Sequence, residues 1–297
     1  MVESKRSKRV SFIRFYKQLR FSATVFWRSE MKKVIVFDQD DTINITKLPI
    51  DEEMAGLLKC LLDKFQVCIM SGTNWEVMRK NDIEPLVEIE GANFENYFIM
   101  PTTGTQFWHY VGDETCVLEG NQLLENGWKR EFAHFLTENQ VAKISDTLEK
   151  ATRKLGYWCE HPKGEIIENR GSQVTFSALG QWAAPEEKYK WDGEMKKREE
   201  IVRLIEPEMT QLGVQVGIGG STSIDVTLPG IDKAYGILRL MEQLDVEKKD
   251  ILFLGDKLQR GGNDYPVKKL GIDTIEVRNC EDTKWILRGI LGVCDVM

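Results

Sequence analysis

The run Asp38-Gln39-Asp40-Asp41-Thr42, set directly after Val34-Ile35-Val36-Phe37, constrains this chain more than any other stretch. The four apolar residues are β-branched or aromatic and bounded by polar ones, which predicts a short buried strand. Three carboxylates therefore crowd the point where a hydrophobic strand stops. Acids this close repel one another and raise their own pKa values unless positive charge sits among them. In an open α/β sheet the carboxyl end of a strand is also where ligands bind. The spacing points to a magnesium site with one carboxylate left over for chemistry.

Downstream, strands and helices alternate. Met54, Leu57, Leu58, Leu61 and Leu62 recur at helical spacing over 51–64. Val67-Cys68-Ile69-Met70 then reads as a strand running into Ser71-Gly72-Thr73, and a helix near 74–80 leads to the strand Tyr97-Phe98-Ile99-Met100. Such alternation predicts a parallel sheet with right-handed crossovers.

The grammar changes after residue 104. A long helix carries Val141, Ile144, Leu148 and Leu155 on one face. Glu165–Glu168 and Gln173–Ala178 flank Asn169-Arg170-Gly171 as an antiparallel hairpin would, and the second run alternates apolar with polar. A charged helix over 193–206 is predicted to stop at Pro207, and strands at 214–218 and 223–227 follow. The alternating pattern resumes with a helix over 233–244 and strands at 251–254 and 274–277. The predicted organisation is an α/β core over 31–104 and 229–297, with an inserted α+β unit over 105–228.

Bulk properties narrow the classes. No apolar stretch approaches the ~18 residues a bilayer span needs. The six cysteines form no Cys-x-x-Cys pair, so reduced thiols and a cytoplasmic protein are expected. The net charge of −7 hides a basic leader, residues 1–30 carrying +6 and the remainder −13. The acidic body argues against a nucleic-acid surface. The leader reads as a targeting segment, a nucleic-acid arm or an extension upstream of Met31, and is expected to be poorly ordered and dispensable for catalysis.

Four core elements end in residues suited to phosphate chemistry. The first offers Asp38, Asp40 and Thr42; the second offers Ser71, Gly72 and Thr73, hydroxyls beside backbone N–H groups at a helix start. Lys233 opens a helix, and Gly255-Asp256 with Gly261-Gly262-Asn263-Asp264 forms a glycine-rich acidic turn. Each alone reads equally as a turn or a cap. Together, at successive strand ends, they supply metal-binding oxygens, a cation for the phosphate, a nucleophile and a proton carrier.

This ordered set resembles the four motifs of the haloacid dehalogenase (HAD) superfamily, whose C2-type cap is inserted between the second and third. The run Gly219-Gly220-Ser221-Thr222-Ser223-Ile224-Asp225-Val226 leading to Ile231-Asp232-Lys233 is similar to the eukaryotic-type phosphomannomutases and their bacterial relatives. The resemblance implies a HAD-like Rossmannoid core with an α+β cap, and an enzyme passing phosphate between mannose 6-phosphate and mannose 1-phosphate. It implies Asp38 as nucleophile and Asp40 as general acid/base. Mg²⁺ would be held by Asp38, Asp256 and the Asp40 carbonyl, and Lys233 would stabilise the phosphorylated aspartate. Ser71 or Thr73 would bind the transferring phosphate beside Gly72, with Thr42, Asn263 and Asp264 in support. Arg170, Ser223 and Asp225 would be cap contacts to the distal phosphate and sugar hydroxyls. A hexose 1,6-bisphosphate activator and a homodimer formed through the cap are further implications.

Two residues depart from the pattern. Asp41 stands where glycine is usual, and Gln181 stands where the mutases carry an arginine for the second phosphate. A glutamine gives up the bidentate charged grip that a phosphate prefers. The alternative outcome, hydrolysis of a sugar phosphate, needs that grip less, and a non-catalytic sugar-phosphate-binding protein is a third reading. His109, His134 and His161 lack metal-ligand spacing. Trp108, Trp128, Trp158, Trp182 and Trp191 are expected in the core of the cap.

Overall fold

In a computed structural model, residues 31–112, 117–219 and 221–296 are described; the basic leader and Cys116 lie outside them. In chain order the elements are β1 (Val34–Phe37), α1 (Glu52–Leu62), β2 (Gln66–Met70), α2 (Trp75–Met78), a π-turn (Arg79–Ile83), α3 (Glu84–Val87), β3 (Tyr97–Met100), β4 (Gln106–Tyr110), β5 (Leu123–Glu125) and β6 (Trp128–Ala133). Then come α4 (Glu138–Lys154), β7 (Ile167–Asn169), β8 (Gln173–Ser177), α5 (Pro185–Asp192), α6 (Lys196–Gln211), β9 (Gln215–Gly219) and β10 (Ser223–Thr227). The chain closes with α7 (Lys233–Leu244), β11 (Ile251–Gly255), α8 (Tyr265–Lys269), β12 (Asp273–Glu276) and α9 (Cys280–Val296).

Among the described residues the strands form two sheets. The larger has the order β12-β11-β1-β2-β3-β4-β6-β5. β1 pairs in parallel with both β11 and β2, and all four of its side chains are buried. A central parallel strand covered on both faces has no wet side, which is why it reads as an unbroken apolar run. One face packs on α1, whose start is capped by Asp51 accepting from the Met54 N–H (2.9 Å) and which buries Met54, Leu58, Leu61 and Leu62. The other face packs on α7, which buries Ile237 and Leu240. The smaller sheet, β7-β8-β10-β9, is antiparallel. Val174, Phe176, Ile224 and Val226 point into a separate apolar cluster with Ile144, Leu148, Ile201 and Ile205 of α4 and α6.

Three expectations need amendment. β4, β6 and β5 lie between 105 and 133, yet they extend the large sheet by antiparallel pairing from β3. Half-buried antiparallel strands such as Trp128–Ala133 carry Lys129, Arg130 and Glu131, so they lack the continuous apolar signature of the parallel strands. Trp108 and Trp128 consequently belong to the core of the large sheet, where Trp75 stacks on Trp108 at 3.8 Å; Trp182 is exposed. The helix predicted to stop at Pro207 runs on to Gln211. Pro207 sits on its exposed face, so the Arg203 carbonyl freed by the missing N–H can take water, while Met209 continues the buried stripe.

Candidate active site

The carboxyl ends of β1, β2 and β11, with the start of α7, bring the four sequence elements together. Asp38 follows β1, its N–H donating to the Leu254 carbonyl (2.9 Å), which stitches the loop to β11. The Gln39 N–H donates to Asp38 Oδ1 (2.7 Å). Lys233 Nζ reaches the same oxygen at 2.6 Å and Asp264 Oδ1 at 2.5 Å. All three charged groups are nearly sealed from solvent. Lys233 is there because Asp232 caps α7, accepting from the Tyr235 N–H (2.9 Å), which turns the first helical residue toward the sheet.

Burial pushes the Asp38 carboxyl up to about 7; Lys233 opposes this, and Asp264 and Asp256 add to it. Burial works against the Lys233 ammonium as well, but Asp264 and Asp38 outweigh it and hold its pKa above the ordinary lysine range. Asp256 is also raised, mainly by burial, with Lys257 pulling the other way. Carboxylate oxygens of Asp38, Asp256 and Asp264 lie within 4.8 Å of one another. Both oxygens of Asp264 are engaged, one by Lys233 and the other by the Lys257 N–H (3.0 Å). The cluster offers hard carboxylate oxygens beside buried negative charge, a donor set that fits Mg²⁺.

Asp40 stays half-buried, with the Lys47 N–H donating to its Oδ1 (2.9 Å) and Lys47 Nζ 3.4 Å from its Oδ2. Asp41 adopts φ 59°, a left-handed turn for which glycine is the usual solution and which Asp tolerates better than most residues. Its carboxylate accepts from the Thr46 N–H (3.3 Å), so its charge faces the turn. The buried Thr42 lends its carbonyl to Thr283 Oγ1 (2.6 Å), which ties the loop to α9.

Ser71 and Thr73 are both buried, their hydroxyls 3.0 Å apart, and the Thr73 N–H donates to Ser71 Oγ (3.1 Å). The Gly72 carbonyl accepts from Arg170 Nη1 (2.8 Å), the smaller sheet's direct hold on this loop. Arg170 also pairs with Glu168 (2.8 Å), whose other oxygen accepts from Asn74 Nδ2 (2.8 Å). The polar face of the smaller sheet presents Gln173, Thr175 and Asp225. Asp225 Oδ1 accepts from Gln173 Nε2 (2.8 Å) and Thr175 Oγ1 (2.7 Å). Burial raises the Asp225 pKa; Arg170 and Lys47 both oppose it, which places the β1 loop within electrostatic reach of this face. Ser223 is half-buried on β10 opposite Ser177, and Asn263 is exposed in the acidic turn.

Two lysines escape a reading of the sequence. Lys47 sits at φ 68° and contacts both Asp40 and Thr73 Oγ1 (3.4 Å). Lys188 on α5 donates to the Gln181 carbonyl (3.1 Å); burial and then Lys47 lower its pKa, against Asp40. Neither one sits in a motif that marks it beforehand.

A profile described as eukaryotic phosphomannomutase matches residues 111–293. "Phosphomannomutase 2" of Dictyostelium discoideum is 28% identical over 239 residues, covering 79% of this chain and 86% of that protein. "Phosphomannomutase" of Saccharomyces cerevisiae is 25% identical, covering 81% and 87%. Among solved structures, the N-terminally truncated, IMP-bound IMP-nucleotidase of Plasmodium falciparum superposes with a TM-score of 0.58 at 19% identity, covering 89% of this chain and 69% of that one. At that identity the likeness is one of fold.

Proposed function

We propose, from the premise that the chain belongs to the eukaryotic phosphomannomutase family of the HAD superfamily, that it is a phosphotransferase interconverting mannose 6-phosphate and mannose 1-phosphate through an aspartyl-phosphate at Asp38. The observation that carries the reading is the Lys233 ammonium held between Asp38 and Asp264, with Asp40 two residues on and paired with Lys47.

With Oδ1 of Asp38 engaged by Lys233 and the Gln39 N–H, Oδ2 is the oxygen left to attack phosphorus. As the Oδ2–P bond forms, the P–O bond to the sugar breaks, and Asp40 gives its proton to the departing oxygen. In the second half an incoming sugar hydroxyl surrenders its proton to Asp40 and takes the phosphoryl group back. Lys233 offsets charge on the phosphoryl oxygens throughout. Mg²⁺ held by Asp38 and Asp256 would supply Lewis-acid stabilisation of those oxygens. Ser71, Thr73 and Lys47 cradle the transferring group. We take the unit bearing the smaller sheet as the cap. Its polar face would receive the hexose through Asp225 and Ser223 and exclude water from the reaction. A cap-to-cap homodimer, a bisphosphate activator and a cytoplasmic location belong to the same proposal; among the described residues no helix is long and apolar enough to cross a membrane.

Gln181 favours hydrolysis as the second reading, because it removes a cation expected for the distal phosphate. Lys188, bonded to the Gln181 carbonyl, restores the charge but not the bidentate fork of arginine. Mannose 1-phosphate given with catalytic hexose 1,6-bisphosphate and Mg²⁺ should yield mannose 6-phosphate by phosphorus NMR. Steady release of inorganic phosphate without that isomer would overturn the mutase reading.

A further inference from the structure

Asp38 and Asp40 face the site, while Gln39 between them is fully buried on the opposite side of the loop. Its Nε2 donates to Oδ2 of Asp82 (2.8 Å), and Asp82 is fully buried as well. Asp82 comes from the π-turn that follows α2, a local irregularity of the kind often found at functional sites. The Tyr97 hydroxyl donates to the Asp82 carbonyl (3.2 Å) and fixes that turn.

Two buried atoms of this amide–carboxyl pair, Gln39 Oε1 and Asp82 Oδ1, have no hydrogen-bond partner. Burial raises the Asp82 carboxyl well above the usual range, the Gln39 amide opposes this, and the carboxylates of Asp40 and Asp38 push it further up. Protonation of Asp82 would add a second donor to this pair, in which Gln39 Oε1 and Asp82 Oδ1 otherwise have no partner. An ionised Asp82 would place a further negative charge behind the residue that must accept a phosphoryl group. A core filler at this place would be apolar, because unsatisfied buried polar groups are costly.

We propose that Asp82 is a positioning residue: it locks the Gln39 side chain, and through the Gln39 peptide N–H it fixes the carboxylate of Asp38 for attack. The inference rests on Asp38 as the nucleophile. Gln39 touches Asp38 and Asp82 touches Gln39, so loosening the pair should disturb the attack geometry and leave substrate affinity alone.

The test compares Asp82→Asn, Asp82→Leu and the volume-conserving Gln39→Met with the parent protein, all confirmed folded by circular dichroism, in one phosphoryl-transfer assay. Asn copies a neutral carboxyl and should keep kcat within about threefold. Asp82→Leu and Gln39→Met should each lower kcat about 30-fold with KM within about twofold. The double variant should be no slower than the worse single one, because the two residues act as a unit. If Asp82→Leu does not fold, Gln39→Met and Asp82→Asn still decide. A folded Gln39→Met with the parent kcat, or an Asp82→Asn as slow as the leucine variant is expected to be, would overturn the proposal. A parent protein with no transfer at all would instead overturn the assignment of Asp38.

Discussion

Two lysines meet opposite electrostatic fates: one opens α7 beside the large sheet, here the floor, and the other lies on α5 of the inserted unit, here the roof. Lys233, from the floor, is sealed between two carboxylates and its pKa is raised. Lys188, from the roof, is half-buried beside Lys47 and its pKa is lowered. The floor lysine neutralises charge that the fold itself has built in. The roof lysine is held below its ordinary value by burial and then by Lys47, a strain that an anionic group of the substrate would relieve under the proposed function. The contrast separates residues that make the site foldable from residues that make it selective.

The largest expected effect comes from breaking the floor. Lys233→Met leaves Asp38 and Asp264 buried without their cation, so it should cost about 3–5 kcal/mol in denaturant unfolding. It should also reduce kcat on the order of 10³-fold. A variant of parental stability would contradict the floor's dependence on this cation.

The roof should behave differently. Lys188→Met is expected to raise KM about 10–100-fold while kcat stays within about threefold. Its stability effect follows from the direction of the shift. Because the folded pKa lies below the ordinary 10.5, the unfolded chain holds this proton more firmly, and between the two values stability rises with pH. Lys188→Met should therefore melt about 1–2 °C above the parent at pH 8, and the gain should shrink as pH approaches 10.5. Lys233 runs the other way: its raised pKa makes its contribution complete below 10.5 and lost only above it. A Lys188→Met that melts below the parent at pH 8 would erase the distinction between floor and roof.

What is legible in the sequence follows the same division. Floor residues sit at the ends of strands that are buried on both faces, so short apolar runs and the acids that interrupt them mark the site one-dimensionally. Asp38, Ser71 and Asp256 can be read that way, and Lys233 from the start of a helix. The role of Asp41 cannot, because its left-handed φ is a property of the turn and carries no compositional mark. Roof residues lie on polar helices and half-wet strands, where a lysine such as Lys188 looks like any solvated side chain. Arg170 reads from the sequence as a contact to substrate, while its bonds to Glu168 and the Gly72 carbonyl emerge only from the fold. The pair Gln39–Asp82 is hidden for another reason: its members are 43 residues apart and meet only through the register of the fold.

The central claim is that Asp38 carries the phosphoryl group. Incubating the protein with Mg²⁺ and a hexose 1,6-bisphosphate, quenching, and reducing with borohydride converts an acyl phosphate on aspartate to homoserine. Peptide mass spectrometry should find homoserine at position 38, and none in an Asp38→Asn variant. Turnover with an unmodified Asp38, or an Asp38→Asn protein that still transfers phosphate, would contradict the mechanism.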